Sequence, residues 1–217
     1  QSTDTCTNNF ATMNPLDNYF AGSAFSEGNC KIVTTNGNIT YNTSTIGFSS
    51  GKWYMETKLA GSAGYTVGVV RGVATANDND NKLGNRADGW SYDDGGNVEN
   101  NGGNLTFSGD SYSSGDIIGV YADLDNNELY FSKNGTIQNS GTGLALTAGT
   151  YFFAVGDNNA SASSTYEVNF GNPTYTGTDQ ADVNGYGSFE YSPSAGTFDS
   201  GSKDFLSLCT ANLSESG

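Results

Sequence analysis

Residues 115 to 135, GDIIGVYADLDNNELYFSKNG, constrain the fold of this chain more than any other stretch. Ile117, Gly119, Tyr121 and Asp123 share one parity and Ile118, Val120, Ala122 and Leu124 the other; Asp125, Asn126 and Asn127 then turn the chain into Leu129, Tyr130 and Phe131. Sustained period-two alternation marks strands. Asn and Asp tolerate the positive φ of a tight reversal, so the segment predicts a β-hairpin. A hairpin as the clearest local signal points to a binding scaffold rather than to a nucleotide- or metal-dependent machine.

The rest of the chain repeats the theme. Residues 31 to 48, KIVTTNGNITYNTSTIGF, alternate around Asn36-Gly37 and predict a second hairpin. Further strands are expected at 52–59, 65–72, 104–108, 116–124, 128–133, 150–156 and 164–170. Residues 1–30 read as irregular, with a turn signal at Asn14-Pro15. The segment 75–103 is the longest polar stretch, and a connection of that length in a compact domain is either functional or disordered. Thirty glycines, thirteen tyrosines and twelve phenylalanines against three prolines and two methionines suit many short strands with tight turns. With 217 residues there is material for one domain with a sizeable core. The expected fold class is all-β: an antiparallel two-sheet β-sandwich or jelly roll.

Charge and composition narrow the partners. A formal net charge of −15 repels phosphate backbones, so nucleic acid is not an expected partner. No apolar run approaches the roughly 20 residues that cross a bilayer, so membrane insertion is not expected either. The chain has no histidine, which removes the commonest general base and the commonest metal ligand. Gln1 in first place, no leader, and a featureless polar end at 214–217 suggest a processed or excised part of a longer protein.

Five further pieces stand in order with the first hairpin: SSGKWYMETKL at 49–59, YTVGVVRG at 65–72, DGWSYDDGGN at 88–97, YFFAVGD at 151–157 and YEVNFGNP at 166–173. In order and rough spacing they resemble the SPRY domain family, over about residues 45–173. That resemblance implies a bent β-sandwich of two antiparallel sheets, no catalytic residues, and ligand contact through loops at one edge. The whole chain, 1–217, is then expected to be a single domain, with irregular flanks 1–44 and 174–217 packing on or beside the core and against each other.

The flanks carry a second resemblance. NGYGSFEYSPSAGTFDSGSKDFLSLCTANL, in the stretch beyond Pro173, and the lead-in NNFATMNPLDN with FSEGNCKIVTTNG are similar to segments flanking SPRY-like domains in bacteriophage tail and capsid-associated proteins, marine ones especially. This implies a virion-surface protein, in a tail fibre or head fibre, whose partners are other virion proteins and a host-surface glycan or protein. Loops 61–65, 75–103 and 156–163 are the expected contact points, with weak contacts multiplied over many copies. A homo-oligomer is expected, although no heptad enforces one. Two alternatives remain: a capsid decoration or cement protein with purely structural contacts, and a carbohydrate-binding or hydrolase module of a secreted marine enzyme.

Candidate ligand-binding residues follow from aromatics beside polar neighbours. Trp90, Tyr92, Asp93 and Asp94 stand in DGWSYDD, with Tyr65 at the head of the preceding strand; exposed rings at such an edge offer faces to sugars and peptide side chains. The resemblance offers the opposite reading for Trp90, packed inside the sandwich, as Trp53 is expected to be. Arg71 either pairs with an internal acid or reaches an edge pocket. Asp78, Asp80, Asp88, Asp93, Asp94 and Glu99 crowd one segment where Ca2+ is conceivable and a solvated acidic insertion is the alternative. No metal site or other cofactor is assigned. DLDNNELYFSKN starts like a calcium loop, but Glu128 and Asn134 replace the required Gly and Glu. Glu56, Glu128 and Glu167 could supply a glycosidase carboxylate pair, yet Glu167 alternates as a solvent-facing residue and scattered acids are expected in so acidic a chain, so no catalytic residue is assigned. Cys6, Cys30 and Cys209 leave at least one thiol unpaired; a Cys6–Cys209 disulfide is one option and free thiols the other.

Overall fold

Every residue of Ile117–Asp123 is buried, so neither parity of that strand faces water. An ordinary two-sheet sandwich covers one face of each sheet, and a strand buried on both faces needs something on its other side. The computed structural model, which describes residues 4–17, 22–35, 37, 39–62, 64–72, 82–199 and 201–215, supplies that cover from the chain's own C-terminal flank.

The larger sheet runs β1 (Ala24–Ser26), β2 (Lys31–Val33), β14 (Ser164–Asn169), β4 (Lys52–Gly61), β9 (Ile117–Asp123), β10 (Glu128–Lys133) and β11 (Thr136–Ile137). Along its margins β12 (Leu144–Ala145) pairs with β10, and β15 (Leu206–Ser207) pairs with β4 in parallel. The smaller sheet runs β3 (Tyr41–Thr43), β13 (Tyr151–Asp157), β5 (Tyr65–Arg71), β6 (Gly89–Asp93), β7 (Val98–Asn100) and β8 (Gly103–Asn104). All other named pairings are antiparallel, as an all-β sandwich of the expected class requires. A short helix, α1 (Thr210–Glu215), ends the described chain, and no helix among the described residues is long and apolar enough to cross a membrane.

Alternation explains both cores. Trp53, Met55 and Leu59 of β4 and Ile118, Val120 and Ala122 of β9 point toward Val67, Val69, Phe153 and Val155 of the smaller sheet. The opposite parity places Tyr54, Tyr121 and Tyr130 on the outer face, where Phe189, Phe198 and Phe205 of the C-terminal flank cover them. Tyr121 meets Phe205 edge-on at 5.1 Å and Tyr130 meets Phe198 at 4.9 Å. Burying each phenylalanine is worth roughly 1.5–3 kcal/mol, so an irregular strap with little pairing of its own is held by its aromatics.

Polar contacts fix the strap in register. Glu56, on the outer parity of β4 and fully buried, accepts hydrogen bonds from Asn169 Nδ2 at 2.9 Å, the Tyr175 hydroxyl at 2.8 Å, the Glu190 N–H at 2.7 Å, the Tyr54 hydroxyl at 3.0 Å and the Tyr191 N–H at 3.3 Å. Lys203 bridges Asp123 and Glu128, each at 2.7 Å, across the first hairpin. The N-terminal flank joins the strap: the Ala11 N–H donates to Leu208 O at 2.9 Å and the Thr210 N–H to Asn9 O at 2.9 Å.

The first hairpin forms as its pattern dictates, with Asn127 at φ 56° in the turn and Asp123 opposite Glu128. The second expected hairpin does not. Lys31–Val33 pairs with β1 and β14 in the larger sheet, whereas Tyr41–Thr43 pairs with β13 in the smaller, so the intervening residues cross between sheets; Asn36 itself lies outside the described residues. The true hairpin there joins β1 to β2 through Glu27, Gly28 and Asn29, all at positive φ. The expected strand 104–108 shrinks to Gly103–Asn104, and Leu105 and Phe107 instead pack on the core. The polar segment 75–103 contains β6 and β7 rather than one long connection. Cys6, Cys30 and Cys209 are all free thiols, the last two buried, and burial pushes the Cys30 thiol up to about 11 with help from Asp4.

Candidate recognition site

Strand register brings three loops to one end of the sandwich. Thr66 opposes Asp93 and Tyr65 opposes Asp157, so the start of β5 and the ends of β6 and β13 lie side by side. The loops that follow or precede them, 61–65, 94–97 and 157–163, meet there. Asp94 Oδ2 accepts the Gly64 N–H at 2.8 Å, and Gly64 O accepts the Asn158 N–H, also at 2.8 Å. Gly64 sits at φ 83°, and a Cβ on it would lie 2.7 Å from Asn159 Cβ, so only glycine lets the first and third loops close up.

Each loop is braced internally. Asp93 Oδ1 accepts the Asn97 N–H at 2.9 Å and Asp93 O the Gly96 N–H at 3.0 Å, making a tight Asx-type turn. Asn159 Oδ1 accepts the Ser161 N–H at 2.9 Å. The side chains that reach the surface include Ser62, Asn97, Asn159 and Ser161, with Asn158 half-buried beside them. These are neutral amides and hydroxyls on a fixed backbone, suited to hydrogen-bonding a partner without a charge requirement.

The sequence candidates occupy the layer beneath. Tyr65, Tyr92 and Trp90 are buried, which corrects the expectation of exposed rings. Trp90 and Tyr92 share the inward parity of β6: Trp90 packs edge-on against Tyr151 at 5.8 Å, and Tyr92 lies 4.9 Å from Tyr112 and 5.2 Å from Phe131. Tyr65 meets Tyr166 edge-on at 5.9 Å. Asp93 is buried and Asp94 half-buried, and both spend their carboxylates bracing the loops. Sequence reasoning weighted the aromatics and passed over Asn97, Asn158 and Asn159. The available signal was the positive-φ chemistry of DDGGN and GDNN, which marks turns at the ends of strands.

The other acids weighed from the sequence are engaged by their own chain where they are described. Asp88 pairs with Arg86 at 2.8 Å, Glu99 with Lys82 at 2.7 Å, Glu167 with Lys31 at 3.3 Å and Glu128 with Lys203. Among the described residues no three His, Cys, Asp or Glu side chains gather as a metal site would need; Asp78 and Asp80 lie outside the described residues. Arg71 reaches the carbonyl of Ala148 at 3.5 Å.

Asp157 at the base of the third loop is fully buried, with Oδ1 accepting the Thr40 N–H at 3.1 Å and Oδ2 without a partner. Burial raises its pKa to about 6 against the smaller pull of the nearby Thr34 hydroxyl and the Thr40 N–H. Between the unfolded value near 3.9 and about 6, the folded state keeps a proton that the unfolded state has lost, so the contribution to stability falls as pH rises through this window and is flat above it. Urea unfolding should show Asp157→Asn gaining on the wild type by up to about 3 kcal/mol between pH 4 and pH 7. A constant difference across that range would contradict the assignment.

Comparison with known proteins agrees with this architecture. The SPRY domain model matches residues 52–173. The crystal structure of the SPRY domain of human HERC1 is 18% identical with a TM-score of 0.61, covering 72% of this chain and 96% of that one. The TRIM65 PSpry domain is 15% identical with a TM-score of 0.54, over 73% and 92%. A human SPRY domain is 19% identical with a TM-score of 0.52, over 66% and 93%. No curated protein sequence matches the chain. The matched segment ends where the strap begins, so Glu56 and the outer tyrosines lie inside it and the aromatics that cover them lie outside it. With more than half its length matched, this chain belongs to the SPRY domain family, whose members are protein-interaction modules.

Proposed function

We propose that this chain is a non-catalytic recognition module that grips a protein or glycan on a host surface through loops 61–65, 94–97 and 157–163. The observation carrying this reading is the cross-bracing of the three loops through Asp94, Gly64 and Asn158, which holds exposed amides in a fixed array. Pre-organised loops lose less conformational entropy on binding than mobile ones, which favours their use as a contact surface. The acids weighed as catalytic candidates favour a passive role, because Glu56, Glu128 and Glu167 are each tied into the fold.

The setting we propose is the surface of a bacteriophage appendage, a tail or head fibre, where other virion proteins and further copies of the chain are its neighbours. This part rests on the resemblance of the two flanks. Many copies per particle would turn weak single contacts into firm adhesion.

Excising 75–103 would remove β6 and β7 and unfold the sandwich, so the test uses surface substitutions. The purified chain, displayed in many copies on beads, is measured for binding to host-cell envelopes beside the triple variant Asn97→Ala, Asn158→Ala, Asn159→Ala. Binding should fall about tenfold or more, while cooperative thermal unfolding shows the sandwich still folded. Equal binding by a folded triple variant would contradict the proposal.

A further inference from the structure

A groove of about 450 Å³ opens between the two flanks, at the opposite end of β14 from the 157–163 loop. It lies almost wholly outside the segment shared with the family, and its size falls within the ~300–1,000 Å³ of small-ligand clefts. Its walls include Thr5, Asn8 and Phe10 from the N-terminal flank and Asp179, Tyr186 and Ser188 from the strap.

The groove is built, not left over. Its floor is a glycine pair: a Cβ on Gly171 would fall 2.4 Å from the Phe10 ring, and one on Gly187 would fall 2.7 Å from the Phe189 ring. Gly171 is at φ 122° and Gly187 at φ 82°. Tyr186 is set by Asp182, a buried carboxylate that accepts the Asn184 N–H at 3.0 Å and the Tyr186 N–H at 2.9 Å through one oxygen. Its other oxygen takes the Ser207 N–H at 2.9 Å and Asn212 Nδ2 at 2.8 Å. On the facing wall Asn8 Oδ1 accepts the Ala211 N–H at 3.2 Å, which leaves the Asn8 Nδ2 donor for a ligand. Asp179, exposed at φ 62°, makes no hydrogen bond or ion pair among the described residues.

The lining chemistry selects the ligand class. Two half-buried aromatic residues supply apolar surface, Thr5 and Ser188 supply hydroxyls, Asn8 an amide donor and Asp179 a strong acceptor, while no lysine or arginine lines the groove. Anionic ligands would meet a carboxylate without a counter-charge, and a purely apolar ligand would strand the polar groups. A ring with one apolar face and a rim of neutral hydroxyls satisfies both sets. We propose that this groove binds a neutral saccharide unit, with Tyr186 as stacking surface and Asp179 as hydroxyl acceptor.

The test is a titration of the ¹⁵N-labelled full chain with glucose, galactose, N-acetylglucosamine and their disaccharides, beside glucuronic acid, a sulfated monosaccharide and a lysine-rich peptide. A neutral sugar should shift amides at 5–8, 179 and 185–188. Tyr186→Ala and Asp179→Asn should each weaken binding by about fivefold or more, while Tyr186→Phe keeps it. Asp179 is exposed, so its variant remains folded. The Asn97, Asn158, Asn159 triple variant should respond to sugar as the wild type does, which separates this groove from the loop site. Silence toward every neutral sugar at about 10 mM, which means a Kd well above that value, would overturn the proposal. So would a response of the same amides to the peptide or the anionic sugars alone, or an undiminished affinity in Tyr186→Ala.

Discussion

Replacing Lys203 with methionine is expected to cost about 3 kcal/mol of unfolding free energy, because it takes the nearest cation from a carboxylate that water cannot reach and leaves it the Asn126 backbone and amide N–H groups and, at 4.0 Å, Lys52. The Asp123 side chain is 0% exposed and that of Lys203 5%, whereas Glu128 keeps 29%. Burial works to lower the Lys203 pKa, but its hydrogen bonds to Asp123, Glu128 and Tyr130 outweigh that and hold it above the ordinary lysine value. The ammonium also lies 5.0 Å over the Tyr130 ring. Methionine fills the stem's volume, so the loss reports charge rather than a cavity. Glu128→Gln should cost only about 1 kcal/mol, since its partly exposed partner position can be rehydrated. Urea unfolding decides: a loss below about 1 kcal/mol in Lys203→Met would mean that Asn126 and Lys52 suffice to hold the Asp123 carboxylate.

Glu56→Ala should cost about 2–4 kcal/mol and loosen the strap, through the donors it orphans. Burial raises the Glu56 pKa, and the hydrogen bonds from the Glu190 backbone, Tyr175 and Asn169 recover only part of that shift. The carboxylate is thus costly in itself, yet its removal leaves five donors without an acceptor under a covered face. Glu56→Gln tests this directly: its amide oxygen still serves Asn169, Tyr175 and the Glu190 N–H, the Tyr54 hydroxyl turns to accept from the new NH2 group instead of donating at that position, and the weaker contact from the Tyr191 N–H at 3.3 Å is lost. The glutamine variant should lie within about 1 kcal/mol of the wild type. Limited proteolysis should cut Glu56→Ala first within 174–191, and equal resistance of both proteins would count against the clasp.

The parts of the fold that were legible in sequence are those whose pattern and pairing are both local. In 117–133 the alternation, the Asp-Asn-Asn turn and the strand partner lie within one stretch, and the hairpin forms as read. In 31–48 the turn signal was equally local, but the partners of Ile32 and Asn42 are Phe25 and Tyr166 for the first and Val155 for the second, and long-range pairing overrode the hairpin. The strap escaped because Phe189, Phe198 and Phe205 follow no strand or helix period; they bury by meeting tyrosines already arrayed on the sheet. That array was visible in Tyr54, Tyr121 and Tyr130, which alternate onto the parity opposite Met55, Val120 and Phe131, but its need for cover went unread. The same oversight governed the site: in GWSYD the rings of Trp90 and Tyr92 alternate inward, and alternation with Val98 opposite Tyr92 was the sign of core rather than contact.

The claim on which the functional reading depends is that the three braced loops make the contact. Amide hydrogen exchange of the chain, alone and bound to host-cell envelope fragments, tests it most directly. Protection gained within 61–65, 94–97 and 157–163, above all at exposed Gly95 and Asn159, is the expected result. Protection gained only on other surfaces of the bound chain, with these loops exchanging as before, would contradict it.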